Sequence, residues 1–278
     1  MAKQCTNLAF CCSFLVSGYA PLYSSFESFY IRSIYRRYND ISNQPIATVP
    51  GAKITILGRE SDDDFWTHKI VPSNRLECIN LGSYNYLGFA ENSGPCTDQA
   101  IDMVMDSGLT SSSPRHEYGT MAVHQLLDQT VAEFVGVEDA ITLGMGFATN
   151  TLNLPRLVKK GTLVISDQLN HASIILGLRL SGAFVTTFEH NNVEDLEKKL
   201  RNAIIRGHPR TGRPWKKILI VVEGVYSMEG TIVKLPEIIA LKKKYKAYLY
   251  LDEAHSVGAM GPNGRGVVDY YGLNPKAQ

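Results

Sequence analysis

Short apolar runs separated by helical segments occupy the sequence beyond Leu81, and this alternation constrains the fold more than any other feature. The runs hold few polar residues, as expected of strands covered on both faces of a sheet. They are Ala140 to Leu143, Leu163 to Ile165, Phe184 to Phe188, Ile218 to Val222 and Ala247 to Leu251. Strands that alternate with helices favour parallel pairing. The sequence therefore predicts an α/β fold with a mostly parallel sheet.

Three of the intervening segments carry clear helix signals. Val123 to Phe134 places its apolar residues on one side and stops before Gly136. Val193 to Ile205 follows the cap-like pair Asn191-Asn192. A further helix is expected to begin with Pro236 in its first turn.

The composition is that of a globular chain without an overall electrostatic preference. Of its 278 residues, 44% are hydrophobic, and 28 Lys and Arg against 27 Asp and Glu leave a formal net charge of +1. The composition argues against a disordered chain, and the charge balance argues against a nucleic-acid-binding surface. The five cysteines form no C-x-x-C pair and none lies beyond Cys96. Neither a zinc site nor a disulfide framework is therefore indicated.

The domain organisation expected from the sequence has three parts. Residues 1–26 form an apolar segment that suits a buried or interfacial segment, a membrane anchor or a cleaved signal peptide. Residues 27–80 contain an amphipathic helix with a basic face, from Glu27 to Tyr38, and an arm leading into the main domain. Residues 81–278 form that main domain.

Acidic residues stand at the carboxyl ends of three predicted strands. They are Asp167, Glu223 and Asp252, and Gly144 holds the corresponding position after the first strand. Ligands of parallel α/β sheets bind at this edge. One such acid is more often a helix cap or a turn residue. Three at successive strand ends indicate a binding site.

A glycine-containing segment, Gly144-Met145-Gly146-Phe147-Ala148-Thr149-Asn150, is expected to open a helix directly after the first strand. Free backbone N–H groups at such a helix end bind anions, including phosphate. The segment is not a dinucleotide fingerprint, because Thr149 replaces the third glycine. A turn between a strand and a helix also needs small residues for steric reasons, so both interpretations stay open at this point.

Asp252-Glu253-Ala254-His255 admits a second interpretation, because the same four residues follow a strand in helicases, where the acids hold magnesium. That function needs a phosphate loop of the form G-x-x-x-x-G-K-[ST], and the sequence contains none. A metal pair of Asp252 and His255 lacks a third ligand at a local spacing. No metal site is therefore expected. Elsewhere, Asn170 is expected to cap a helix and bring His171 to the strand edge.

These features together suit an aromatic cofactor with a phosphate at one end and a ring nitrogen at the other, as in pyridoxal phosphate. The glycine segment would hold the phosphate. A carboxylate would keep the pyridine nitrogen protonated, and an imidazole would cover the ring.

Six short motifs occur in an order and spacing that resembles one enzyme family. They are Asn85-Tyr86-Leu87-Gly88, Gly144-Met145-Gly146-Phe147, His171-Ala172-Ser173-Ile174, Glu223-Gly224-Val225-Tyr226-Ser227-Met228-Glu229-Gly230, Asp252-Glu253-Ala254-His255 and Gly264-Arg265-Gly266. The chain resembles the α-oxoamine synthases, which are fold type I pyridoxal phosphate enzymes, from about Phe29 to Pro275. Within that family, the Lys- and Arg-rich segments Arg213 to Ile218 and Leu241 to Asp252 look like those of the catalytic subunits of eukaryotic serine palmitoyltransferases.

The resemblance implies roles for particular residues. Asp252 would pair with the ring nitrogen of pyridoxal 5'-phosphate, His255 would contact its phenolic oxygen, and His171 would stack on the ring and orient the serine carboxylate. The remaining cofactor-binding residues would be Gly146, Phe147 and Ser227. The implied reaction is the decarboxylative condensation of L-serine with palmitoyl-CoA to ketodihydrosphingosine.

The resemblance also implies a partner and a location. The partner would be the other subunit of a heterodimer at the cytosolic face of the endoplasmic reticulum membrane. The family's Schiff-base lysine lies in a Thr-Lys-Ser-Phe-Gly-like segment that follows the position of Asp252, and the chain reaches Gln278 without one. We therefore expect an incomplete large domain that is inactive by itself. Two alternatives stay open: a non-catalytic short isoform that binds the partner subunit, and a sibling synthase that uses glycine.

Overall fold

The computed structural model describes residues 29–63 and 65–273, so the apolar segment 1–26 lies outside the described residues. The chain forms two compact units, of which one ends at Ser107 and the other begins at Gly108. The division of the sequence at residues 26 and 80 stays a prediction. Among the described residues, no helix is long and apolar enough to cross a membrane.

The first unit combines a helical segment, a hairpin and a further helix. A π-helical segment, Tyr30–Tyr35, leads into α1, Arg36–Ser42. The strands β1, Lys53–Glu60, and β2, Lys69–Ile79, pair antiparallel, and α2 spans Pro95–Ser107. The guanidinium of Arg59 donates to the backbone oxygens of Asn39 and Asn43 at 3.1 and 2.7 Å. Arg59 thus satisfies carbonyl groups at the end of α1 and ties that helix to the hairpin.

The second unit contains a parallel sheet of four strands in the order β4-β3-β5-β6. Their bounds are Thr162–Asp167 for β3, Phe184–Phe188 for β4, Lys217–Glu223 for β5 and Tyr248–Asp252 for β6. All six residues of β3 are buried. The last four predicted runs are therefore strands, and the prediction of a parallel α/β sheet is confirmed.

The helices of this unit confirm the sequence signals. They are α3 Ala122–Val135, α4 Gly146–Leu157, α5 Ala172–Ser181, α6 Val193–Arg206, α7 Leu235–Tyr245 and α8 Val267–Tyr270. Gly136 ends α3 in the left-handed conformation with φ of 86°. The side chain of Asn192 accepts the N–H of Asp195 at 3.0 Å and caps α6.

The stretch from Ala140 to Leu143 is not a strand, and this prediction is wrong. No described strand lies beside it to complete a hydrogen-bonded ladder. Instead, the N–H and hydroxyl of Thr142 both donate to Oδ1 of Asp128 at 2.7 Å, and Arg115 donates to the carbonyl oxygen of Thr142 at 2.6 Å. Side chains thus take the place of a neighbouring strand.

Alternate residues of the central strands enter cores on opposite faces of the sheet. Leu163, Ile165, Ile220 and Val222 pack with residues of α6 and α7, whereas Val164, Leu219 and Val221 pack with residues of α4 and α5. The face covered by α4 and α5 positions the site, because the amino ends of these two helices lie over the carboxyl ends of the strands.

Candidate active site

Three carboxylates end neighbouring strands of the sheet. Asp167, Glu223 and Asp252 are the last residues of β3, β5 and β6, and Glu223 stands opposite Asp252 in the register of β5 and β6. The expected placement of the three acids is therefore correct. Gly144 does not follow a strand, because the segment before it is not one.

The carboxylate of Asp252 is fixed by two N–H donors. Its Oδ2 accepts from Nδ2 of Asn150 at 2.7 Å, and its Oδ1 accepts from the backbone of Ala254 at 3.0 Å. Asn150 is buried, donates also to Oγ of Ser173 at 3.0 Å and accepts from the hydroxyl of Tyr250 at 2.6 Å. Burial, with a contribution from the Asp252 charge, raises the pKa of Tyr250 to about 12. The tyrosine therefore remains a donor that fixes the amide.

His171, and not Asn170, caps α5. Its Nδ1 accepts the N–H of Ser173 at 3.2 Å, so a neutral imidazole carries its proton on Nε2. Asn170 was expected to cap this helix, but its buried amide donates to Oγ of Ser166 and to the carbonyl of Val221, both at 2.8 Å. Asn170 does not cap the helix because its amide bonds these two acceptors at the sheet edge, and the two bonds anchor the turn before His171.

The ring of His171 lies beside that of Phe147. Their centroids are 6.1 Å apart and the planes are inclined by 78°, an edge-to-face arrangement. Both side chains are exposed. The amino ends of α4 and α5 therefore present two neighbouring rings to a ligand above the strand ends.

Glu223 lies beneath His171. Its side chain is buried, and its Oε1 accepts the backbone N–H of His171. Burial raises the pKa of Glu223 to about 7 against the opposing effect of that hydrogen bond, and the charges of Asp252 and Asp167 raise it further. A buried acid that titrates near neutral pH thus supports the capping residue.

The amino end of α4 has backbone donors to offer. The N–H of Thr149 makes the first helical bond, to the carbonyl of Met145 at 2.9 Å. The N–H groups of Gly146, Phe147 and Ala148 precede it and have no acceptor within the helix. A Cβ on Gly146 would meet nothing within 4 Å. The space above this helix end is therefore open to an anion.

The other two candidate residues lie in turns that leave the same sheet edge. Ser227 is exposed in the turn that follows β5, which is closed by a bond of 2.8 Å from the N–H of Gly230 to the carbonyl of Tyr226. His255 is half-buried in the turn that follows β6. The structure thus brings His171, Phe147 and Asp252 together through Asn150 and Ser173, with Ser227 and His255 in separate adjoining turns.

Sequence reasoning missed a second network at this edge. Nδ1 of His190 lies 3.0 Å from Oδ1 of the buried Asp167, and its Nε2 lies 2.7 Å from Oγ1 of Thr231. His190 comes two residues after β4. The sequence analysis considered the residues that directly follow the other strands, and the same reasoning applied to β4 would have identified His190 as a candidate site residue. Asn150 carried no such signal, since it lies one turn inside α4.

Comparison with known proteins places this geometry in a family. Residues 77–276 match the family model described as aminotransferase class I and II. Serine palmitoyltransferase 2 of Caenorhabditis elegans is 55% identical over 261 residues, which are 94% of this chain and 47% of that protein. Serine palmitoyltransferase 3 of Homo sapiens is 54% identical over 257 residues, 92% of this chain and 47% of that protein. The chain thus spans about half the length of these relatives.

Solved structures support the fold. A serine palmitoyltransferase variant from S. paucimobilis with a bound PLP–myriocin aldimine has a TM-score of 0.70 at 31% identity, covering 91% of this chain and 58% of its own. The Sphingomonas wittichii serine palmitoyltransferase has the same TM-score and coverage at 30% identity. The resemblance indicated by the motifs is confirmed. The family model matches most of the chain, and the carboxylates at the strand ends lie beside the amino ends of α4 and α5. The chain therefore belongs to the aminotransferase class I and II family.

Proposed function

We propose that these residues form the pyridoxal phosphate site of an acyltransferase that condenses L-serine with palmitoyl-CoA, releasing carbon dioxide and CoA. The observation that carries the proposal is the carboxylate of Asp252, held at the end of β6 by Asn150 at 2.7 Å, beside the amino ends of α4 and α5. The names of the relatives, which are serine palmitoyltransferases, support the substrate class.

The chemistry of the donor set fits this cofactor. An anion at Asp252 is stabilised by two N–H donors and suits a protonated ring nitrogen. The N–H groups of Gly146 and Phe147, which have no acceptor within the helix, suit a phosphate, and the exposed hydroxyl of Ser227 adds a further donor. The exposed ring of His171 suits the face of a flat heterocycle.

The residues of this chain have distinct tasks in such a reaction. When bound, pyridoxal phosphate supplies the electron sink for breaking bonds at the carbon that bears the amino group. Asp252 would hold a proton at the ring nitrogen, and His255 would orient the phenolic oxygen. His171, with its Nδ1 engaged by Ser173, presents an Nε2 proton to the serine carboxylate. Glu223 holds the backbone of His171 in place.

The test is an assay on the protein isolated from its source cells. CoA release from palmitoyl-CoA is followed with serine, with glycine and with neither. We expect release that depends on serine and on pyridoxal phosphate, and a loss of roughly a thousandfold in Asp252→Asn, because an amide cannot hold the ring proton by charge. The matched control is Glu237→Gln, an exposed acid in the first turn of α7. Equal rates in Asp252→Asn and the unaltered protein would contradict the proposal, and preference for glycine would favour the sibling synthase.

The partner and the location form part of the same proposal. We infer a heterodimer with a second serine palmitoyltransferase subunit at the cytosolic face of the endoplasmic reticulum membrane, and the resemblance of the Lys- and Arg-rich segments to those of the catalytic subunits supports it. Purification of the tagged protein from membranes of its source cells should recover the second subunit at one-to-one stoichiometry. In intact microsomes, added protease should cleave the tag, because the tag lies on the cytosolic side. Recovery of this chain alone from the soluble fraction would contradict it. Recovery of the pair without serine-dependent activity would instead favour the non-catalytic isoform.

A further inference from the structure

Four loops meet at the sheet edge opposite the active site. They precede β3, β4, β5 and β6, whose amino ends share this edge because the strands are parallel. The N–H of Lys216 donates to the carbonyl of Gly161 at 3.2 Å. Nζ of Lys217 donates to the carbonyl of Leu157 at 3.1 Å and lies 4.8 Å from the ring centre of Tyr248. These contacts join the loops before β3, β5 and β6 into one continuous surface.

This surface is strongly basic in a chain with a net charge of only +1. The loop segments 156–161, 179–183, 206–217 and 242–247 contain no Asp or Glu. We call six of their exposed cations, which lie beyond the helix ends, the basic edge: Lys159, Lys160, Arg210, Arg213, Lys216 and Lys246. Within the described part of the chain, none of the six forms an ion pair.

Helix dipoles do not account for the basic edge. Arg156, Arg179 and Arg206 lie in the last turns of α4, α5 and α6, where a cation favours the negative helix end. That effect fades within the last turn. Lys160, Arg210 and Lys216 stand in the loops beyond it, and no carboxylate of the described residues forms an ion pair with them.

Exposed apolar side chains lie among these cations. Ile205 is 77% exposed in the last turn of α6, Leu180 is 62% exposed in the last turn of α5, and Tyr248 is 57% exposed at the start of β6. Lysine and arginine surrounding isolated apolar side chains are typical of proteins that bind the membrane interface.

We propose that the basic edge binds the anionic surface of a phospholipid membrane. Charge complementarity identifies the headgroups, and Ile205, Leu180 and Tyr248 enter the interfacial region between them. A membrane fits this composition better than an acidic protein does, because four of the six cations are lysines, a residue depleted in protein–protein interfaces. The proposal does not depend on the enzymatic one, since the basic edge lies at the opposite end of the strands.

The test is co-sedimentation of the full chain with vesicles of phosphatidylcholine alone and with about 30% phosphatidylserine added. The difference between the two vesicles isolates the contribution of charge from that of the apolar segment 1–26. We expect the anionic vesicles to bind at least about 100-fold more tightly, and the preference to vanish near 0.5 M salt. Replacing Lys160, Lys216 and Lys246 by Gln should weaken binding to the anionic vesicles by about 100-fold. The matched control replaces Lys198, Lys199 and Lys234, which lie on α6 and before α7, away from this edge.

The outcomes separate the alternatives. Loss of binding in the edge variant with retention in the control supports the proposal. Equal binding to the two vesicles overturns it, as does an equal loss in both variants, which would reflect net charge alone. Binding to soluble polyglutamate but not to anionic vesicles would identify an acidic protein as the occupant and would also overturn it. Far-ultraviolet circular dichroism of both variants excludes unfolding as the cause.

Discussion

Nδ2 of Asn150 donates to Oδ2 of Asp252 at 2.7 Å across 102 residues of sequence. Through the same amide, the carboxylate is connected to Ser173 near the amino end of α5 and to Tyr250 on β6. One buried side chain therefore sets the position of the acid relative to both helix ends of the site.

Replacing Asn150 by Ala should cost stability and cofactor affinity together. Three hydrogen-bonding groups each lose one partner, and one of them is a carboxylate, so we expect the free energy of unfolding to fall by about 2–3 kcal/mol. Urea denaturation of the chain measures this, and pyridoxal phosphate titration followed by absorbance measures affinity. The matched control is Asn153→Ala on the same helix, whose amide donates to the carbonyl of Thr149 at 2.7 Å, a bond within the helix itself. Equal losses in the two variants would show that the amide of Asn150 has no special role.

Glu223 should make the protein less stable as pH rises. Its pKa is raised from 4.5 to about 7 in the folded protein. Between these values the folded state keeps a proton that the unfolded chain has lost. The contribution of Glu223 to the free energy of unfolding should therefore be largest below pH 4.5. It should fall by up to about 3 kcal/mol as the pH rises to about 7, and then stay constant.

The measurement is urea denaturation between pH 5 and 8, compared with Glu223→Gln, in which this decline should disappear. Glu237→Gln, which removes an exposed acid from α7, serves as the control and should keep it. If the unfolding free energy of Glu223→Gln fell with pH as it does in the unaltered protein, another titrating group would be responsible.

Gly177 should not tolerate a methyl group. A Cβ there would lie 2.6 Å from the carbonyl oxygen of Asn150 and 3.1 Å from the side chain of Leu154, so α4 and α5 would have to separate. Alanine favours the helix by about 1 kcal/mol, but overpacking costs about 1–3 kcal/mol. We expect Gly177→Ala to lower the unfolding free energy by about 1 kcal/mol and to weaken cofactor binding. Gly144→Ala, where a Cβ meets nothing within 4 Å, is the stability control. A stabilised Gly177→Ala would be evidence that the helices separate at no cost.

The pair of Asp167 and His190 should show strong coupling. Asp167 is buried and accepts N–H donors from Leu169 and Asn191 as well as from the imidazole. His190→Leu removes the imidazole from the buried carboxylate, which keeps the side-chain hydrogen bond to Tyr226, and should cost about 3 kcal/mol. Asp167→Asn in the same background removes the buried charge and should recover a part of that loss. A double-mutant cycle in urea measures the coupling, and strictly additive losses would rule it out.

Sequence patterns predicted the sheet well because buried parallel strands are defined by local composition. Phe184 to Phe188 was predicted with its observed bounds, and Asn192 capped the helix that its position indicated. Ala140 to Leu143 has the same apolar character, but none of the described strands lies beside it, and pairing depends on the neighbouring chain segments and not on the run itself. Local pattern therefore identified strand candidates but not their partners.

Site residues that stand at strand ends could be predicted from the sequence. Site residues whose hydrogen-bond partners are brought near by long-range packing could not. Asp252 and Glu223 followed from the strand-end rule. Asn150 did not, because its task is set by a close approach of two helices that depends on Gly177. His171 was identified by motif, but its capping role was assigned to Asn170, since both residues precede the helix and only the acceptors on the sheet edge distinguish them.

The distance in sequence between Asn150 and Asp252 sets an order of assembly during synthesis. A ribosome that adds about 5–20 residues per second needs roughly 5–20 s to pass from the one to the other. In that interval Ser173 emerges first and offers the amide of Asn150 a partner, whereas Tyr250 and Asp252 emerge last. The carboxylate that would hold the ring nitrogen is thus the last of these groups to be synthesised, and capture of the cofactor by the nascent chain must wait for β6.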